Sequence, residues 1–218
     1  MPTANRRHLV PLALHSFLAQ DWPDKELIVI EDGDDCVADL FAAAPNLRYH
    51  HHRLHRRQSI GDKLNLACKL AQGDILVRFD DDDWSAPGRI TDQVNRLGQF
   101  SISGYNSMIF WDQATRQATQ YKSSSPFYSL GSALCFTRAY WQAHPFANCS
   151  NGEDNIFIQP ARNVRRIACV DAGDMMVARI HAANTVNRSS AKHWPKVPLA
   201  SVPPQFFADL LTTNRELP

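Results

Sequence analysis

No run of apolar residues in this 218-residue chain approaches the ~18 needed to cross a bilayer, and no signal peptide opens it. The chain reads as soluble and cytoplasmic, with peripheral contact with a membrane left open. An excess of charge of either sign is missing too. The formal net charge of +1 argues neither for nor against a nucleic-acid partner; no global polyanion footprint is visible, and no nucleic acid is expected. Cysteine is sparse and unpatterned: Cys36, Cys68, Cys135, Cys149 and Cys169 have no metal-ligand spacing and are odd in number. They read as reduced, mostly buried thiols. Glycine is absent before Gly33, so the glycine-rich, basic N-terminal phosphate loop that a sugar nucleotidyltransferase wants is not there.

What is present is acid, concentrated in one place. Asp80-Asp81-Asp82-Asp83-Trp84 follows the apolar stretch Ile75-Leu76-Val77, which reads as a buried strand. Like charges packed at a strand end repel unless a cation or a set of donors neutralises them. In an extended segment residues two apart face the same way, which sets Asp80 with Asp82 and Asp81 with Asp83. Hard carboxylate oxygens suit Mn²⁺ or Mg²⁺ bound together with substrate phosphates. A solvated acidic turn is the bland alternative. The preceding strand weighs against it, because ligands of open α/β sheets bind just beyond the carboxyl ends of strands.

Strand and helix patterns alternate through the first third. Helical spacing over Leu9–Gln20 precedes the strand Leu27–Ile30. A short helix over Val37–Ala44 stops at Pro45, a strand spans Leu47–Leu54, and a helix spans Gly61–Ala71. This implies an α/β fold with a mainly parallel sheet flanked by helices. Further on, the pattern predicts a helix over Pro87–Leu97 and strands at Ser107–Phe110 and Ala133–Phe136. Helices follow over Arg138–His144 and from Glu153 to about Gln159, then strands at Ile167–Val170 and Met175–Ile180. The end from Trp194 is proline-rich, with one amphipathic piece at Gln205–Leu211.

Several segments together resemble family 2 glycosyltransferases, in particular a small bacterial subgroup. They are Pro2-Thr3-Ala4-Asn5-Arg6, Ser16–Gln20, Glu26–Gly33, Ser59–Asn65, Gln72–Ile75, the aspartate run, Gly152-Glu153-Asp154 and His181-Ala182-Ala183-Asn184-Thr185. Each is weak alone; in the family's order, spanning residues 2 to 185, they make a specific signal. The resemblance implies the GT-A nucleotide-sugar-binding fold, with residues 1–100 as nucleotide-binding half, 101–193 as acceptor and catalytic half, and 194–218 as a tail. It also implies a metal-dependent, inverting transfer from a nucleoside-diphosphate sugar, a UDP-sugar first, to a saccharide or other hydroxyl acceptor.

The resemblance distributes roles residue by residue. Thr3 and Arg6 match the donor-binding loop, in which Ala4 replaces the usual tyrosine. Glu31 and Asp32 match the acidic pair that contacts base and ribose, and Lys63, at a helix start, matches a diphosphate site. Asp81 and Asp82 hold ribose and metal with Asp80 in support, and His181 completes the metal shell. Asp154, beside Glu153, is the general base. The bland readings are a helix-capping role for Glu153 and Asp154, a solvated Lys63 and a structural His181. Trp111, Tyr121, Phe127 and Tyr128 form either an acceptor-stacking surface or core. His50, His51 and His52 cannot converge on one ion, because consecutive strand positions alternate faces; a cationic rim with Arg57 nearest the donor loop fits better. In the family a buried strand precedes the Pro2–Arg6 loop. Here Met1 directly precedes Pro2, so the sheet is expected to miss its first strand and the native product to be longer by one strand. A degenerate, non-catalytic nucleotide- or sugar-binding domain is the rival reading, against which the presence of both Asp82 and Asp154 argues.

Overall fold

In the computed structural model, which describes residues 1–42, 44, 47–185 and 193–215, the parallel sheet of the N-terminal half forms around its most apolar segment. Strand β2 (Leu27–Glu31) is buried at every residue and pairs in parallel with β1 (Pro2–Thr3) on one side and β3 (Tyr49–Arg53) on the other. Helix α1 (Val10–Leu18) and the short α2 (Ala38–Ala42) bring Val10, Phe17 and Phe41 onto this sheet. Ser59 caps α3 (Ile60–Leu70) by accepting from the Asp62 N–H. The proline stop expected at Pro45 lies outside the described residues.

The expected gap in the sheet is present as a groove. Strand β1 has two residues; ahead of it the Met1 ammonium donates to the Ile28 carbonyl at 2.6 Å, and Ile30 N–H donates to the Met1 carbonyl at 3.0 Å. Among the described residues β4 (Ile75–Val77) pairs with β8 (Cys135–Thr137) alone. Between β2 and β4 an apolar cleft of about 430 Å³ is lined by Leu27, Ile28, Leu64, Leu76, Val77 and Phe136 among others.

Among the described residues the second sheet has eight strands and mixed direction. Its centre is β6 (Ile102–Asp112), which pairs with β7 (Gln117–Lys122) and β8 antiparallel and with β9 (Ile167–Asp171) and β10 (Met176–Ile180) parallel. Strand β5 (Trp84–Ser85) joins β10, and β11 (Lys196–Val197) joins β7. Helices α4 (Arg89–Leu97), α5 (Arg138–Ala143) and α6 (Glu153–Asn163) complete the second half. The α6 helix runs past the expected stop at Gln159 and carries Pro160, because Phe157, Ile158 and Ala161 are all seated in the core. The C-terminal segment is part of the fold: α7 (Pro204–Arg215) packs on α1, and Phe206 sits edge-on between Trp84 and Trp111. No helix is long and apolar enough to cross a membrane among the described residues.

Candidate active site

The carboxyl ends of β1 and β4 open on a cleft of about 510 Å³. It gathers Thr3 and Arg6 from the N-terminal loop, Arg57 and Lys63 from the α3 entry, Asp80 to Asp83, Glu153 and Asp154, and the Ala183–Thr185 loop.

The aspartate run does not continue the strand. Beyond Val77 the chain leaves regular structure and bends at Asp81 and Asp82, so the two-and-two partition of an extended segment does not hold. Carboxylate oxygens of Asp80, Asp82 and Asp83 instead lie within 4.8 Å of one another, while Asp81 turns to Arg6 at 2.9 Å. Asp83 is also tied to its surroundings, accepting from the Arg179 N–H at 3.1 Å. Burial pushes the Asp81 carboxyl up to about 6, with the neighbouring charge of Asp82 adding to the effect and Arg6 opposing it.

Arg6 and Arg78 answer this charge, while Lys63 and Arg57 answer that of Asp32. Arg6 reaches Asp81 and, at 3.2 Å, Asp82, and its other guanidinium nitrogen donates to the Ala183 carbonyl and to Thr185 Oγ1. It thereby holds the 183–185 loop over the aspartates. Arg78 bonds Asp80 at 2.8 Å and Glu153 at 3.2 Å. Burial alone would lower the Arg78 pKa, but Asp80 and Glu153 outweigh it and the net direction is up. Asp80 is the mirror case: burial would raise its pKa, yet the Arg78 charge and hydrogen bond bring it below the usual carboxylate range. Burial raises Glu153 despite Arg78. Lys63, itself buried, bonds Asp32 at 2.8 Å; Arg57 lies 3.5 Å from the same carboxylate, which also accepts from the Gln58 N–H.

His181 stands beside the acidic run: its Nε2 is 2.9 Å from Asp82, and its backbone N–H donates to Asn184 Oδ1. Asn184 in turn donates to Asp82 at 3.3 Å. Three carboxylates and an adjacent imidazole are a donor set that a hard divalent cation accepts. Across the cleft Gly152, with φ +82°, turns the chain into α6 and places Glu153 and Asp154 in its first turn. Gly131 makes room for Asp154, since a Cβ there would lie 2.2 Å from Asp154 Oδ2.

Of the residues singled out in the sequence, the cleft lining brings together Thr3, Arg6, Lys63, Asp80, Asp81, Asp82, Glu153 and Asp154. His181 joins through Asp82, and Asp32 through Lys63. Glu31 is left outside: its carboxylate is fully buried against His51 at 2.7 Å. The aromatic group divides. Trp111 is core, against Phe206, and Tyr121 packs on Trp194, whereas Phe127 and Tyr128 lie beneath Arg165 and Arg162. The sequence placed Arg78 at the head of the acidic run and Asn184 in the His181–Thr185 segment without giving either a role, and Gly131 went unremarked. Arg78 had a signal, standing two residues before Asp80 at the end of a strand, on the same face.

The family model for Glycosyl transferase family 2 matches residues 1–143. The chain belongs to that family. A relative from Escherichia coli (strain K12), "Putative colanic acid biosynthesis glycosyl transferase WcaA", is 32% identical over 96 residues, covering 42% of this chain and 34% of the relative. The chain thus spans about a third of that relative's length. Among solved structures, S. aureus TarS 1–349 in complex with UDP-GlcNAc superposes with a TM-score of 0.67 at 19% identity, over 84% of this chain and 58% of TarS 1–349. The mannosyltransferase PcManGT from Pyrobaculum calidifontis, in complex with GDP-Man and Mn²⁺, gives 0.63 at 17% identity over 98% and 71%. At these identities the superpositions speak for the fold, which is GT-A.

Proposed function

We propose that this family 2 chain transfers a sugar from a nucleoside-diphosphate sugar, a UDP-sugar first, to a hydroxyl of a saccharide or similar acceptor, on the cytoplasmic side and with inversion. The observation that carries the reading is the meeting of Asp154 with the Asp80–Asp83 cluster and Lys63 around one cleft. Asp80, Asp82, Asp83 and His181 fit Mn²⁺ or Mg²⁺, which when bound supplies positive charge to the leaving nucleoside diphosphate. Arg6 and Lys63 add fixed charge for the same diphosphate. Asp32, buried with Oδ1 on Lys63 and Oδ2 on the Gln58 N–H, holds Lys63 in place.

Asp154 takes the proton of the acceptor hydroxyl as that oxygen attacks the anomeric carbon. The bond from that carbon to the diphosphate oxygen breaks as the new glycosidic bond forms. The single displacement inverts configuration, and no enzyme nucleophile is needed. Glu153, bonded to Arg78 and so to Asp80, positions the base relative to the acidic cluster.

A thermal-shift panel of UDP, GDP, TDP and CDP, each with and without Mn²⁺, tests the donor site. A ligand at a hundredfold excess over its Kd stabilises by about 2.7 kcal/mol. One nucleotide should shift the transition only with Mn²⁺ present, and Asp82→Ala should abolish that shift. Silence with all four nucleotides would overturn the donor assignment and favour a degenerate domain.

A further inference from the structure

Behind the donor cleft lies a second group of metal-ligating side chains that the transfer does not use. β2 ends in Glu31, whose side chain is 0% exposed. Its Oε2 meets His51 Nε2 at 2.7 Å and the Val37 N–H at 3.5 Å. Its Oε1 is buried with no hydrogen-bond partner. Cys36, a free and partly exposed thiol, sits in the loop just beyond β2. One ligand atom from each of Glu31, Cys36 and His51 lies within 4.8 Å of the other two. The strand alternation that stops three adjacent histidines from sharing an ion also produces this arrangement. His50 and His52 stack on each other at 6.3 Å, while His51 turns to the opposite face and meets Glu31.

We infer that Glu31, Cys36 and His51 form a binding site for a soft-to-borderline divalent cation of the Zn²⁺ class, separate from the carboxylate site for Mn²⁺ or Mg²⁺. The argument is one of donor type and burial. A thiolate, an imidazole and a carboxylate are a Zn²⁺ set, whereas hard ions favour oxygen alone. A carboxylate removed from water with one oxygen unpaired lacks a partner that a cation would supply. The site is reachable, because Cys36 and His51 keep partial exposure. On binding, the Cys36 thiol gives its proton to solvent, the thiolate and the His51 nitrogen donate electron pairs to the ion, and no redox change occurs. The bound ion ties together the end of β2, the 33–37 loop and β3. Arg7 already links that loop to the donor-binding segment by donating to the Cys36 carbonyl, so occupancy would stiffen the nucleoside side of the cleft.

Co²⁺ titration of chelator-treated full-length protein, kept reduced without added thiol, reads the site directly. A thiolate-to-cobalt charge-transfer band should appear and be displaced by one equivalent of Zn²⁺. Cys36→Ser should remove the band, while Cys149→Ser and Asp82→Ala should retain it. His51→Gln should weaken Zn²⁺ binding by more than the ~100-fold that marks the upper end for an outer-shell partner. Absence of the band in the wild-type protein, or its survival in Cys36→Ser, would overturn the site. The wild-type spectrum decides the matter even if a variant fails to fold, and none of these readouts depends on donor binding or turnover.

Discussion

Asp154 and Asp82 face one another across the cleft with different surroundings, and the difference separates their roles. Asp82 is buried among Arg6, His181 and Asn184, a setting that holds its carboxylate in place for a cation. Asp154 is partly exposed beside Gly131, and one oxygen accepts from the Asn155 backbone and side chain. Its other oxygen, Oδ2, lies beside Gly131 in the cleft lining and is the one the proposed reaction assigns to the incoming hydroxyl. Asp154→Asn removes the proton acceptor while keeping shape and the Asn155 contacts. It should lower transfer by about 10²–10⁴-fold, the range for a lost general base, and leave the Mn²⁺-dependent nucleotide shift unchanged. Steady-state transfer assays beside thermal shifts check this, and a variant of undiminished rate would remove Asp154 from the chemistry.

At the scale of elements, the break between β2 and β4 governs stability. A peptide nitrogen of a longer strand would be neutral at the position where Met1 places an ammonium. Burial lowers that ammonium to about 6 from its usual 8.0, against the opposing pull of Asp80. In a chain whose first residue is Met1, the unfolded state therefore binds more protons than the folded state between about pH 6 and 8. Stability should rise with pH across that window and fall as pH drops through it, by up to about 2–3 kcal/mol. N-terminal acetylation should flatten the rise in urea melts taken at pH 6 and pH 8.5. A slope unchanged by acetylation would locate the proton elsewhere.

The same scale shows what the sequence discloses. Strands β2, β9 and β10 and helices α1, α3, α4 and α5 were legible because apolar periodicity and their stop signals coincide. Strand β7, Gln117–Lys122, was not: its residues are mostly polar, and it exists because β6 offers it a long edge on which to pair. In the site the acidic run, the donor loop and the Glu153–Asp154 pair were legible as motifs. The Arg78–Asp80 spacing was readable, but the tie of Arg78 to Glu153 was hidden, because it forms only when α6 is brought against the end of β4. The convergence of Asp83 with Asp80 and Asp82 was hidden for a related reason. It depends on a bend that strand periodicity cannot register.

Across the whole molecule, the last described helix braces the start of the proposed donor site. Trp84 closes the aspartate run and is fully buried; its indole N–H donates to Asp209 of α7 at 2.8 Å, and its ring meets Phe206 edge-on at 6.2 Å. Phe206 is also 5.4 Å from Trp111 near the far end of β6, so one side chain joins α7, β5 and β6. The backbone from Asp83 to Ser85 is thus held from both sides, by β10 through Arg179 and by α7 through Trp84. Phe206→Ala removes a fully buried ring and should destabilise the protein by about 3–5 kcal/mol. Because β5 continues directly from the aspartates, the same change should weaken Mn²⁺-dependent nucleotide binding at temperatures where the variant is still folded. Asp209→Asn keeps an acceptor for the indole and should leave nucleotide binding near wild type. Urea unfolding with nucleotide titration on both variants measures the link, and a Phe206→Ala protein that loses stability yet binds as tightly as wild type would show that α7 braces the fold without bracing the site.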